Sequence, residues 1–134
     1  MDSTHDEEGT VPPVELILYC ARDGTVPLLE WLDTLPPKVQ DKCLVRLERL
    51  EAFGHELRRP EADYLRDDIY ELRVTYGHTQ YRMLYFFHGR SVVVVSHGLK
   101  KERVVPSRDI DSAIDRKKQF IQNPPQHTFR PEGE

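Results

Sequence analysis

The sequence predicts a single α+β domain: an N-terminal strand, an αα-hairpin, a three-stranded antiparallel meander and a C-terminal helix, with the helices covering the sheet. Three observations predict it. Apolar residues recur at helical spacing between Leu28 and Leu50, change to a period of two from Ile69, and return to helical spacing after Pro106. The two-residue breaks Gly77-His78 and His88-Gly89 are short enough only for hairpin turns. A chain of 134 residues has room for one ordinary core and not two.

Each element has its own signal. Residues 1–13 are acidic and polar and end in Pro12-Pro13, the composition of a disordered tail; a second polar tail is expected over 123–134, which leaves the domain at 14–122. Val14 to Cys20 reads as the first strand. Arg22-Asp23-Gly24-Thr25 is a turn, and Thr25 is placed to cap a short helix with Pro27 in its first turn. Leu28, Trp31, Leu32 and Leu35 line that helix, with Trp31 as a core anchor. Pro36-Pro37 ends it and opens a second helix, striped by Val39, Cys43, Leu47 and Leu50 and stopped at Gly54. His55 to Asp67 is polar and irregular. In the first meander strand Ile69, Glu71, Arg73 and Thr75 share one face, and Tyr70, Leu72, Val74 and Tyr76 the other. Thr79 to Phe87 is the second, its Tyr81, Tyr85, Phe86 and Phe87 belonging to the core. Arg90 to His97 is the third; its Val92–Val95 run suits burial on both faces, and Gly98 is expected to break it. Ser107 is placed to cap the last helix, with Asp109 and Asp111 at its positive end, Lys117 and Lys118 at its negative end, and an apolar stripe of Ile110, Ala113, Ile114 and Ile121.

Composition excludes several classes of function. No apolar run is long enough to span a membrane, and the acidic start lacks the basic and apolar stretches of a secretory signal, so no membrane partner is expected and the cytoplasm is the expected compartment. Cys20 and Cys43 lie in separate elements without a CxxC, which fits small core residues and not a redox pair. The histidines show no metal-ligand spacing, and there is no Walker loop, GxGxxG or GxSxG, so neither a metal nor a nucleotide cofactor is expected. The net charge of −4 is unevenly spread: residues 69–108 hold seven Lys and Arg (Arg73, Arg82, Arg90, Lys100, Lys101, Arg103, Arg108) against Glu71 and Glu102, a local net of +5. Positive charge gathered in one region is what a phosphate backbone would meet.

Ile69-Tyr70-Glu71-Leu72-Arg73 is similar to the "ELR" strand of a family of small toxins. Tyr81-Arg82-Met83-Leu84-Tyr85 resembles that family's "YRxxY" strand, and His97-Gly98-Leu99-Lys100-Lys101 its "HGFxKK" segment, followed here too by a proline and a terminal helix. Trp31-Leu32 before Leu35-Pro36 fits its helical pair. On these motifs, in this order over roughly residues 14–121, the chain resembles the HigB-like, phage-derived branch of the RelE/ParE toxin superfamily. The resemblance implies a RelE-like fold and the toxin of a type II toxin–antitoxin pair, a ribosome-dependent endonuclease that cuts messenger RNA without a metal. It implies a cognate antitoxin, the ribosome with its message, and DNA only as a complex with the antitoxin. It also implies that Arg73, Arg82, Lys100 and Lys101 line the RNA-facing side, with His97 at the end of its strand. Where the family often has Thr-Pro after the lysines, this chain has Glu102 to Pro106, and where several catalytic relatives carry Tyr or His by the last helix it has Ser107 and Arg108.

RNA is cut when a 2′-OH attacks the adjacent phosphorus. The catalyst must take the 2′ proton, stabilise charge on phosphate and protonate the leaving 5′ oxygen. Arginine suits the second task, being always charged and offering a fixed fork of donors. The expected assignment puts Arg82 on the pentacoordinate phosphate and Arg73 and Arg103 on backbone phosphates, with Arg90 and Arg108 as further RNA contacts. The proton falls to His97, or to Lys100 or Lys101 with a pKa lowered by neighbouring cations. Each residue also has a plainer role. Arg73 alone reads as the partner of Glu71 on a solvated face, His97 as a structural histidine, and Lys100-Lys101 as a solvated turn. Two other functions share the fold: a ParE-like gyrase-binding toxin, and a catalytically decayed regulatory relative.

Overall fold

The computed structural model describes residues 13–100 and 103–131. The order is β1 (Glu15–Tyr19), α1 (Pro27–Asp33), α2 (Pro37–Phe53), β2 (Ala62–Arg66), β3 (Ile69–Tyr76), β4 (Thr79–His88), β5 (Val92–Lys100), α3 (Ser107–Gln122) and β6 (Thr128–Phe129), with single 3-10 turns at Gly54–Glu56 and Pro124–His127. The strands form one mixed sheet in the order β2-β3-β4-β5-β1-β6. β2 to β5 are an antiparallel meander, and β1 lies parallel to β5. The fold is α+β, as the periodicity predicts.

Strand alternation sends side chains to two different cores. On one face α1 and α2 pack Leu28, Leu32, Val39, Cys43, Leu47 and Leu50 against Leu72, Val74, Met83, Tyr85, Val93 and Val95. On the other, α3 packs Ile110, Ala113 and Phe120 against Ile17, Ile69, Leu84, Phe86 and Val94. The β5 valines divide between the two, which is why that strand reads as an unbroken apolar run.

Six expectations need correction. The stretch His55 to Asp67 contains β2, a fourth meander strand. Arg66 pairs with Ile69 across a two-residue turn in which Asp67 and Asp68 both have positive φ (52° and 65°). Aspartates tolerate that conformation, so the pair does the work more often given to Asn-Gly. Gly98 does not end β5, which continues to Lys100. Gly98 is there because a Cβ would overlap the Trp31 ring. Thr25 does not cap α1: its hydroxyl bonds to Asp23, and Val26 holds the cap position. Ser107 is the first residue of α3, behind Pro106, with no side-chain cap bond. In the stripe of α3 it is Phe120 that is buried, while Ile121 is 53% exposed. Finally, the polar segment after α3 is structured to Phe129. β6 pairs Phe129 with Leu18 and Thr128 with Tyr19, the buried His127 Nδ1 donates to the Cys20 carbonyl at 2.7 Å, and Arg130 bonds Glu15. That segment shields part of the β1 edge.

Candidate functional site

The charged residues gather on the α3 face. In the β3–β4 register Arg73 lies directly opposite Arg82. Like charges so placed repel, and a carboxylate between them resolves the conflict. Glu71, two residues along the same face of β3, binds Arg73 Nη2 at 2.9 Å with one oxygen and Arg82 Nη1 at 3.0 Å with the other. Glu71 is 2% exposed, so the face is not the solvated one its sequence pattern alone describes. Asp63, on the edge strand β2 and opposite Glu71, accepts from Arg73 at 3.1 Å and from Arg59 at 2.9 Å. Partial burial raises the Asp63 pKa, but the Tyr64 N–H, Arg59 and Arg73 outweigh it and the net shift is downward. The result is a chain, Arg59–Asp63–Arg73–Glu71–Arg82, running from the sheet edge to its interior.

The two arginines are not equally available. The Arg73 side chain is 31% exposed and that of Arg82 10%. The Arg82 Nε, buried, has no hydrogen-bond partner. α2 supports the pair from the opposite side of the strand, where Arg46 donates to the Arg73 carbonyl.

A bulge creates the second half of the site. Leu84 pairs with His97 and Tyr85 with Val95, which leaves Ser96 as the extra residue of β5. Ser96 and His97 consequently both meet α3. His97 Nε2 is 3.1 Å from Asp109, its Nδ1 is 2.8 Å from the Ser96 hydroxyl, and Arg116 Nη1 is 3.4 Å from that hydroxyl. A carboxylate only accepts, so Nε2 carries the proton and donates; Nδ1 then accepts from Ser96, whose oxygen accepts from Arg116. Burial, reinforced by Arg116, lowers the His97 pKa below its ordinary 6.5 against the opposing pull of Asp109. At neutral pH the ring is uncharged and holds β5 to α3.

The structure thus brings together Arg73, Arg82 and His97 on one face. Lys100 is exposed and pairs in register with Tyr81, which belongs to the α1–α2 face. Lys101 lies outside the described residues. Arg103 is exposed before α3 and Arg108 is exposed in its first turn, beside Asp109. Arg90 sits in the β4–β5 turn, at the other end of the strand from Arg82. Sequence reasoning missed Asp63, Ser96, Asp109 and Arg116 as members of the site. Asp109 carried a helix-dipole signal instead, and the bulge that aims Ser96 has no signature in a valine-rich strand. Among the described residues no group of three or more His, Cys, Asp or Glu side chains is placed to hold a metal ion, and no helix is long and apolar enough to cross a membrane.

A small α+β protein whose sheet carries paired arginines, flanked by a histidine, is of the class that the strand motifs resemble. Residues 30–118, well over half the chain, match the family described as phage derived protein Gp49-like (DUF891). The chain belongs to this family, which is one of HigB-like toxins. The match runs from α1 into α3 and leaves β1 and β6 outside it. No curated protein matches the chain.

Proposed function

We propose that this toxin is a ribosome-dependent messenger RNA endonuclease of a type II toxin–antitoxin system, within the RelE/ParE superfamily. One observation carries the proposal: Arg73 and Arg82 lie face to face across β3 and β4, fixed by one buried carboxylate. Two guanidiniums held side by side form a preorganised seat for an anion with charge on several oxygens, and a phosphate in transfer is such an anion. Nothing in the core requires the pair, since apolar residues of similar volume would fill the space without the desolvation penalty.

In the reaction the message's 2′ oxygen forms a bond to phosphorus, and the bond from phosphorus to the 5′ oxygen breaks. The products are a 2′,3′-cyclic phosphate and a 5′-hydroxyl. Arg82 stabilises the pentacoordinate phosphate, and Arg73, the more exposed, guides the scissile phosphate to it. Arg103 and Arg108 hold flanking phosphates on the α3 side, and Arg90 a more distant one. The 2′ proton goes to His97 or to Lys100 or Lys101, and the leaving 5′ oxygen takes one from solvent water to become the 5′-hydroxyl. His97 serves only once Nδ1 is freed from the Ser96 hydroxyl, whose oxygen Arg116 of α3 contacts at 3.4 Å. The partners are an antitoxin that covers the basic face and, through that complex, DNA.

A second reading has its own observation. Glu71 already neutralises Arg82 in a buried pair, which suits a toxin that acts by binding, whether a gyrase-binding relative or a decayed regulatory one. The deciding experiment is message cleavage in a cell-free translation reaction, mapped by primer extension, with wild-type protein beside Arg82→Ala of verified melting temperature. Cuts that need both ribosomes and Arg82 are expected, with the variant slower by about a hundredfold or more. Undiminished cleavage by folded Arg82→Ala overturns the assignment of Arg82. No cleavage by the wild type favours the binding-only toxin.

A further inference from the structure

The other end of the Arg59–Asp63–Arg73 chain opens into a concavity on the α1–α2 side of the sheet, at its β2 edge. It measures about 430 Å³ and is lined by His55, Leu57, Arg58, Arg59, Asp63, Tyr64 and Tyr70, among others. That volume lies within the range of sites for small organic ligands. Its walls are unusual for a surface. Tyr64 is 50% exposed yet immobilised: its ring meets Tyr70 edge-on at 5.1 Å, and its hydroxyl accepts from the Asp68 N–H at 3.1 Å. Tyr70 stacks on Tyr85 at 5.3 Å and meets Phe87 edge-on, and Phe87 is in turn covered by the His55 ring at 3.7 Å. His55 Nε2 donates to the Arg90 carbonyl, which fixes that wall.

Two cations line the same concavity. The Arg58 side chain is 73% exposed, and its partner Glu56, 3.5 Å away, is 54% exposed. A pair so open to water competes weakly with an incoming phosphate. The Arg59 side chain is 75% exposed and bonds Asp63 through Nε, so its terminal nitrogens face outward. A rigid, half-exposed aromatic face beside two solvent-facing guanidiniums is the chemistry that takes an unpaired base with its phosphate.

We propose that this concavity is a nucleotide-binding subsite for single-stranded RNA: one base stacks on Tyr64 with Tyr70 at its edge, and its phosphate meets Arg58 and Arg59. The inference rests on the endonuclease reading and extends it. Asp63 is shared between Arg59 of this pocket and Arg73 of the α3 face, so a strand crossing the β2 edge passes from one to the other. The base comes from the message or from ribosomal RNA. Ultraviolet cross-linking on ribosomes, read by primer extension on both RNAs, assigns the source.

The test is fluorescence anisotropy of a labelled single-stranded oligoribonucleotide of about six nucleotides, titrated with the full-length protein. Tyr64→Ala should weaken binding by about tenfold or more. Arg58→Glu alters an exposed side chain and leaves the fold intact; it should weaken binding and flatten the dependence of log Kd on log salt by about 0.7. Arg82→Ala, on the other face, leaves the Tyr64-dependent difference in place. Wild-type affinity in both Tyr64→Ala and Arg58→Glu overturns the subsite, even if Arg82-dependent cleavage stands. Tyr64-dependent binding without any cleavage in translation upholds the subsite and overturns the reaction. Antitoxin binding lost in Tyr64→Ala, with RNA affinity unchanged, also overturns it and gives the pocket to protein recognition.

Discussion

The two faces of the sheet are built on opposite principles. Under α1 and α2 the strands present Leu72, Val74, Met83, Tyr85, Val93 and Val95, a continuous apolar surface. Under α3 the same strands present Ile69, Leu84, Phe86 and Val94, but interrupt them with Glu71, Arg82 and Ser96, all buried. Taking charges out of water is expensive, and a fold that needed only stability would repeat the first face on the second. Beneath its two helices the α1–α2 face is therefore the structural half. The α3 face spends stability on polar geometry, and the chemistry is to be sought there.

The largest effect that can break this contrast is at Glu71. Glu71→Ala leaves Arg73 and Arg82 opposite one another with their common anion gone, and should destabilise the protein by about 3–5 kcal/mol in urea or thermal unfolding. Glu71→Met combined with Arg82→Met removes the buried charges together, and should recover most of that loss while giving no message cleavage. A double variant as unstable as Glu71→Ala would show that the charges are structural, and the two faces would differ less than their chemistry implies.

The apolar face is tested at Gly98. Its missing Cβ lets Trp31 of α1 lie directly on β5. Gly98→Ala should cost about 1–3 kcal/mol through overpacking, and Trp31→Leu in the same chain should relieve part of it. Unchanged stability in Gly98→Ala would mean that α1 moves freely off the sheet.

The contrast between faces also explains what could be read from the sequence. Helices, meander and terminal helix were legible because their apolar periods are set by the faces they bury. The alternation that puts Ile69, Glu71, Arg73 and Thr75 on one face was legible for the same reason, and with it the arginines. What the pattern could not show was burial. Glu71 and Arg82 are hydrophilic at every scale of local reading, and only the packing of α3 and the pairing across strands make them interior. β2 escaped because Asp63, Tyr64 and Arg66 carry its alternation weakly, and its Asp67-Asp68 turn replaces the expected glycine. β6 escaped because two residues have no period at all. His97 beside the bulge meets Asp109 at the helix start 12 residues on in sequence, with Ser96 on its other nitrogen, and neither partner's residue type announces that contact.

The smallest predicted effect lies at His97, and it separates clamp from catalyst. Its folded pKa lies below the 6.5 expected of the unfolded chain, with burial the main cause, Arg116 adding to it and Asp109 opposing. Above 6.5 the ring is neutral in both states, and its contribution to stability is complete. As pH falls through that value the unfolded chain takes up the proton first, so the contribution declines down to the folded pKa and is flat below it. His97→Asn keeps a donor for Asp109 and an acceptor for Ser96 but has nothing to titrate. Urea unfolding at about pH 7.5 and about pH 5 should therefore show a smaller acid loss in His97→Asn than in the wild type. If His97 is only the clamp, the variant still cuts message, and the proton falls to Lys100 or Lys101. If His97→Asn has lost the acid dependence and also the cleavage, with its stability at neutral pH intact, the same ring holds α3 at rest and takes the proton once Ser96 releases Nδ1. An acid loss equal to the wild type's would show that the pH dependence resides elsewhere.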